Sequence, residues 1–390
     1  MKNCLIYIIS PTHVISTMSA IKTLHKDSIN IKALIHHPYL PSKKANVIKK
    51  IIIDMLSAFP EVKETIYIEQ DTVNLENKGR DIDNSISNLK KRIKDHSFDE
   101  IYYTVDFVGN MTKALFTNYP NATKTTVGDA FGLIFDEELH CSLASNTPKP
   151  NKNKFRTMAL TFIDYFRRKP QKMKRELANL ACLILPVYQT KNCLMDIPLV
   201  VCKKDLVLNI IGSCRNNCQN FNKYVNHLYT VYMDVNKYLL LTDNFSEGSF
   251  LELGKEIEMY SEIIRKNCKS GDVIFIKPHP GDIYQKAKIL QSNFSNLKIV
   301  ELDRKYNRFP IEMWGKLVIN SSVISLSYPI LSLKYLYNID VIKPLNTLFI
   351  KKWFPKWLWK SYINAMNLYM NPLKKLETWN GSSVIWKGDK

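Results

Sequence analysis

Short apolar runs alternate with amphipathic stretches along most of the chain. Cys4–Ser10, Ile29–His37, Thr65–Glu69, Glu100–Asp106 and Lys124–Asp129 are runs of five to nine residues rich in β-branched and aromatic side chains. That length and composition predict strands. Between them, Thr12–Lys26, Ser42–Phe59, Asp83–Asp95 and Asn110–Asn118 are amphipathic and predict helices. Strand–helix alternation argues for a parallel sheet covered by helices on both faces. A basic, proline-bearing stretch follows, roughly Ser145–Lys174, and then the alternation restarts. Asp205–Gly212, Tyr238–Asp243, Asp272–Ile276, Leu297–Leu302 and Lys316–Asn320 read as strands. Ser213–Met233, Phe250–Lys266, Gln285–Ser292 and Ser327–Tyr337 read as helices, and the tail from Lys351 as helical and aromatic.

Two Rossmann-like halves in succession predict an α/β protein of the GT-B arrangement, two such domains facing a central cleft. The expected division is 1–195, 196–345 and a basic aromatic helical segment, 346–390, packing back across the domains. A chain of 390 residues is long enough for this.

Charge changes the picture. The formal net charge of +19 implies an anionic partner: nucleic acid, an acidic membrane face or an anionic polymer. Nine cations lie between Lys152 and Arg175 against the single acid Asp164, among them Lys152, Lys154, Arg156, Arg167, Arg168, Lys169 and Lys172. A second concentration, Lys351–Lys360, alternates lysines with tryptophans and suits a bilayer headgroup zone, sugars or bases. No helix-turn-helix, RNA-binding or zinc pattern supports nucleic acid as the partner. The eight cysteines form no zinc set, and several sit in apolar runs, which predicts a reducing cytoplasm. The N-terminus reads as a first strand and not as a signal peptide, and no apolar stretch is long enough to span a bilayer. Membrane contact is therefore expected to be peripheral.

The candidate chemistry sits at strand ends. Lys277-Pro278-His279-Pro280 closes one apolar run, and Asn320-Ser321-Ser322 closes the next expected strand but one. Ligand crevices of open α/β sheets lie outside the carboxyl ends of the strands. The X-Pro steps stiffen the first loop and keep its imidazole at the rim. Gly128-Asp129-Ala130 places a carboxylate after a β-branched run, where it is suited to accept a proton from a hydroxyl. Glu312, in a first helical turn after Pro310, is suited to accept from ribose hydroxyls. Asp81-Ile82-Asp83 opens a helical segment and reads as capping, and His36-His37 reads as a pair that lines the cleft or, more simply, is solvated. Neither a dinucleotide fingerprint nor a Walker A sequence is present.

The order of an acidic motif, a His-Pro and a Ser-Ser pair resembles the bacterial sialyltransferases, most closely the capsular polysialyltransferases. Ser10-Pro11-Thr12-His13 and Leu239–Glu247 are similar to segments of the same family. The family pattern of two acids then Gly reads here as Gly128-Asp129-Ala130, with Asp129 as the carboxylate. The resemblance implies a CMP-sialic acid donor, inversion at the anomeric carbon and no cofactor or metal. It makes Asp129 the general base and His279 the phosphate ligand and acid toward departing CMP. It gives Ser321 and Ser322 the phosphate, Glu312 the ribose, and Lys277 and Pro280 a place in the same donor loop. The basic stretch then fits a polysialic acid acceptor, and the protein a peripheral place on the cytoplasmic face of the bacterial inner membrane or in a capsule-assembly complex. A lipooligosaccharide monosialyltransferase, a CMP-Kdo transferase, a nucleic-acid-binding protein and an inactive capsule-complex scaffold stay open as alternatives.

Overall fold

The structure, a computed structural model, describes residues 1–37, 42–68, 82–94, 97–104, 110–128, 178–185, 198–327 and 329–360, with 362, 363, 366, 373 and 376 of the tail. The first apolar run forms β1 (Lys2–Ile8), whose last five residues are buried. Burial on both faces is what a central parallel strand requires. Its partners are β2 (Ile29–His36) and β4 (Glu100–Tyr103), and the sheet is completed by β3 (Val62–Ile68), β5 (Thr123–Thr126), β6 (Leu180–Leu183) and β7 (Leu199–Val201). The order is β3-β2-β1-β4-β5-β6-β7 with every pair parallel. Helices α1 (Pro11–Leu24), α2 (Ser42–Leu56), α3 (Ile82–Ile93) and α4 (Asn110–Asn118) are its connections, close to where periodicity predicts them. Because β7 pairs with β6, the first sheet extends past residue 195, where the domain boundary is expected.

The second sheet has the order β10-β9-β8-β11-β12, again all parallel. Its strands are β8 (Lys237–Leu241), β9 (Val273–Lys277), β10 (Lys298–Glu301), β11 (Ser322–Ser325) and β12 (Val341–Ile342). Two expected strands are helical instead. Asp205–Gly212 lies within α5 (Lys204–Asn217), where Val207, Ile210, Ile211 and Cys214 are buried at helical spacing. Its apolar run is too short for composition alone to separate strand from helix. Lys316–Asn320 contains the single turn α6 (Lys316–Ile319), entered through Gly315 at a positive φ of 49°. Leu317 and Val318 are buried there while Ile319 is 52% exposed.

Helix α5 packs on α1 and α2 of the first unit and on the 3-10 turn Ile311–Trp314 of the second. One apolar cluster runs through it from β1 to Trp314 and Leu333. The tail closes on this frame. Trp353, Phe354 and Leu358 are buried in the second core, and Leu373 joins the cluster shared by both sheets. No helix among the described residues is long and apolar enough to cross a membrane.

Candidate functional site

In the second sheet, the strand order reverses between β8 and β11, so their outgoing connections part and leave a crevice at their carboxyl ends. A cavity of about 230 Å³ occupies it. Thr242 and Asp243 enter from the end of β8, Lys277 to Pro280 from β9, and Ser327 and Ser332 from beyond β11. Arg308 and Glu312 line it as well, and Thr12, at the start of α1, faces it from the first unit.

The Lys277–Pro280 loop is held from several directions. The Lys277 Nζ donates to the Asn307 carbonyl at 2.9 Å, and the Asn307 amide donates to the His279 carbonyl at 3.2 Å. The His279 backbone N–H donates to Thr242 Oγ1 at 3.2 Å, and Arg308 donates to the Pro280 carbonyl at 3.2 Å. The Gly281 N–H donates to His279 Nδ1 at 3.0 Å. That bond makes Nδ1 an acceptor, so in the neutral ring the proton sits on Nε2. Burial, with the Lys277 charge adding to it, lowers the imidazole to about 4. His279 is thus a neutral donor at pH 7. A Cβ on Gly281 would come within 3.1 Å of Nδ1, a close approach that the ring would have to yield to.

Burial also brings Lys277 down to about 8, with the nearby Glu312 carboxyl opposing the shift. Glu312 is 3% exposed, and burial raises its carboxyl to about 7. The Ser332 hydroxyl donates to Glu312 Oε1, and the Tyr337 hydroxyl donates to the Glu312 carbonyl. Asp243 is raised to about 7, again by burial, with a Ser327 hydrogen bond opposing. The cavity therefore offers neutral and cationic donors together with two carboxyl groups that are easily protonated. Among the described residues no cluster of acids, histidines or cysteines is arranged to hold a metal ion.

Lys277, His279, Pro280 and Glu312 meet in the cavity. Ser321 and Ser322 do not. Because Lys316–Ile319 is helical, β11 begins at Ser322, and the pair lies at the amino end of a parallel strand while the cavity lies at the carboxyl end. The Ser321 hydroxyl donates to the Leu317 carbonyl at 2.6 Å and closes that helical turn. The hydroxyls that reach the cavity are Thr242, Ser327 and Ser332. No local pattern marks them: Ser327 follows Ser322-Val323-Ile324-Ser325, a run too short to show a period. Arg308, four residues before Glu312, is one of three cations of its segment, with Arg304 and Lys305, and nothing in the sequence singles it out.

Asp129 and the cations Lys152, Lys154, Arg156, Arg167, Arg168, Lys169 and Lys172 lie outside the described residues. Gly128 lies within them, one residue past Val127, at φ 68°. Its carbonyl accepts from Thr104 Oγ1 at 2.9 Å, and Thr104 meets His13 Nε2 at 3.4 Å. His13 Nδ1 accepts from the Ile9 and Ser10 N–H groups, both at 3.3 Å. The carboxyl ends of β1, β4 and β5 are thereby tied together. His36 and His37 are not a solvated pair: they are 0% and 1% exposed, and burial lowers each to about 4. The charges of Arg308 and His13 add to the shift at His37.

No protein-family model matches the sequence, and no curated protein matches it significantly. Solved structures do match in shape. The UDP-GlcNAc 2-epimerase of Neisseria meningitidis, bound to UDP-GlcNAc, aligns over 96% of this chain and 94% of its own at TM-score 0.51 and 12% identity. The fold is GT-B. The corresponding epimerase of Methanocaldococcus jannaschii aligns over 95% and 93% at TM-score 0.48 and 13% identity. A Photobacterium 2,6-sialyltransferase, solved with CMP and lactose, aligns over 96% of this chain and 77% of its own at TM-score 0.46 and 11% identity. At 12% identity the likeness to the Neisseria enzyme speaks for the GT-B frame alone and leaves the reaction to the residues of the cavity.

Proposed function

We propose that the chain is an inverting, metal-independent glycosyltransferase that moves sialic acid from CMP-sialic acid to the non-reducing end of an oligo- or polysialic acid chain. It is read as a capsular polysialyltransferase working on the cytoplasmic face of the bacterial inner membrane. The observation that carries the reading is the meeting of Lys277, neutral His279 and buried Glu312 in one cavity at the carboxyl ends of β8 and β9.

A CMP-sugar has a single phosphate as its leaving group. When the bond from the anomeric carbon to the phosphate oxygen breaks, the electron pair stays on the phosphate. Lys277, Arg308 and the His279 Nε2–H are the donors that would stabilise that charge, and in a partly enclosed site each is worth more than in water. The phosphate would itself raise the proton affinity of His279, which suits the ring to pass a proton toward departing CMP. Glu312 would accept from the ribose hydroxyls. Asp129 would take the proton of the acceptor hydroxyl as its oxygen attacks the opposite face of the anomeric carbon. The cations of 152–172 would line the path of the acidic chain.

The test is CMP release from CMP-sialic acid, with and without a short oligosialic primer, in the presence of EDTA. Primer-dependent release with stepwise lengthening is expected. A product that stops after one addition contradicts the polymerase claim. No release with any sialyl or lactosyl primer contradicts sialyl transfer altogether.

A further inference from the structure

The two loops that form the donor cavity run on into a second concavity of about 660 Å³ on the same unit. The chain leaving β8 passes from Asp243 in the cavity to Ser249 and Phe250 in the groove. The chain leaving β9 passes from Pro280 in the cavity to Tyr284 in the groove, and Trp357 of the tail lines the groove with them. Lys286 locks the two loops together. Its fully buried ammonium donates to the Asp243 carbonyl at 2.8 Å, to Glu247 Oε2 at 2.9 Å and to Glu256 Oε1 at 2.8 Å. All three of its protons are used, and Glu247 Oε1 accepts from the Ile283 N–H at 3.3 Å. The groove is thus braced to the donor cavity.

Its wall is aromatic by construction. The Phe250 and Trp357 rings stand 6.4 Å apart at 36°. Phe250 lies over Gly248, where a Cβ would meet its ring at 2.6 Å, so only glycine admits that placement. Ser249 takes a left-handed φ of 58°, a conformation a serine rarely adopts. Tyr284 is 40% exposed at the edge, and Lys255 is exposed on the rim with Glu252. Flat rings suit the C–H face of a pyranose, hydroxyls and a carboxylate suit its hydroxyl groups, and a lysine suits a sugar acid. A bilayer anchor would instead project its indoles. Here Trp353 is buried, and the Trp359 Nε1–H donates to the Phe354 carbonyl at 2.8 Å.

We infer that this groove is a glycan-binding subsite that holds a distal stretch of an acidic oligosaccharide chain while its end is extended at the cleft. The inference rests on the polysialic acid reading for the identity of the sugar. It is tested with the full chain and oligosialic acids of graded length, by titration without donor and by transfer kinetics with it. Tyr284→Ala, Trp357→Ala and Lys255→Glu should each weaken binding of long chains and raise their KM about tenfold. KM for a short primer and the affinity for CMP should stay unchanged. Lys255→Glu and Tyr284→Ala alter exposed side chains, so they report on the groove even where Trp357→Ala fails to fold. Equal affinity of wild type and variants for long chains overturns the inference, as does oligosialic binding that survives when binding to phosphatidylglycerol vesicles is lost. If wild type binds CMP and long chains but transfers nothing, the transferase reading fails while the groove is still decided by the titration.

Discussion

Each of the two sheets has a histidine of lowered basicity at a strand end, yet among the described residues it is His279 and not His36 that lines the cavity. His36, at the end of β2, is 0% exposed; its Nδ1 meets the Tyr7 hydroxyl at 3.2 Å, and it belongs to the core of its unit. His279, just beyond β9, keeps an open edge on a cavity that also holds Lys277, Arg308 and Glu312. Burial lowers both imidazoles to about 4. A depressed basicity is therefore no mark of function by itself. What separates the two is convergence: charged groups from three loops face one open volume in the second unit.

The comparison breaks most sharply on the histidines. His279→Ala should reduce transfer by about 10²- to 10³-fold, the usual consequence of removing one donor to a developing anion. His36→Gln should leave the Kd for CMP within about twofold, since no change is made in the cavity, and should act on stability instead. Steady-state rates beside a thermal melt check both. Equal losses of transfer in the two variants would erase the distinction.

Lys277 comes next. Its ammonium is protonated below about 8, so the share of CMP affinity that Lys277 supplies should be full below that pH and fade above it. Bound phosphate raises the lysine, so the inflection in the complex lies at higher pH than in the empty protein. Lys277→Met should weaken CMP binding about 10- to 100-fold and flatten the profile, as read by titration across pH. Glu312→Gln should weaken CMP binding about tenfold while leaving the affinity for inorganic phosphate unchanged, because the carboxyl is assigned to the sugar half of the nucleotide.

The smallest effect is also the most selective. Ser327→Ala should weaken CMP binding a few-fold, and Ser321→Ala should not change it. Ser321→Ala should cost about 1 kcal/mol of folding stability for the lost bond to the Leu317 carbonyl. A denaturant titration and a CMP titration on the two variants separate the ends of β11.

Most of the frame was legible in the sequence because long amphipathic segments and four- to eight-residue apolar runs carry distinct periods. Helices α1 to α4 and strands β8 to β10 follow that pattern closely. The errors fall where an apolar run is too short to show its period. Leu317-Val318-Ile319 is three residues long, and reading it as a strand moved the hydroxyls of Ser321 and Ser322 to the wrong end of the sheet. β7 has three residues and β12 two, too few to stand out from loops. Lys277, His279 and Glu312 were recognisable because proline fixes the backbone around them. Thr242, Arg308 and Ser327 join the site only through tertiary placement, which no local pattern encodes.

The most direct measurement is a crystal structure of the protein with CMP bound. The account predicts the phosphate about 3 Å from Lys277 Nζ and His279 Nε2, with the ribose against Glu312. A nucleotide seated at the amino end of β11 beside Ser321 and Ser322, or outside the β8–β9 cavity altogether, would contradict it.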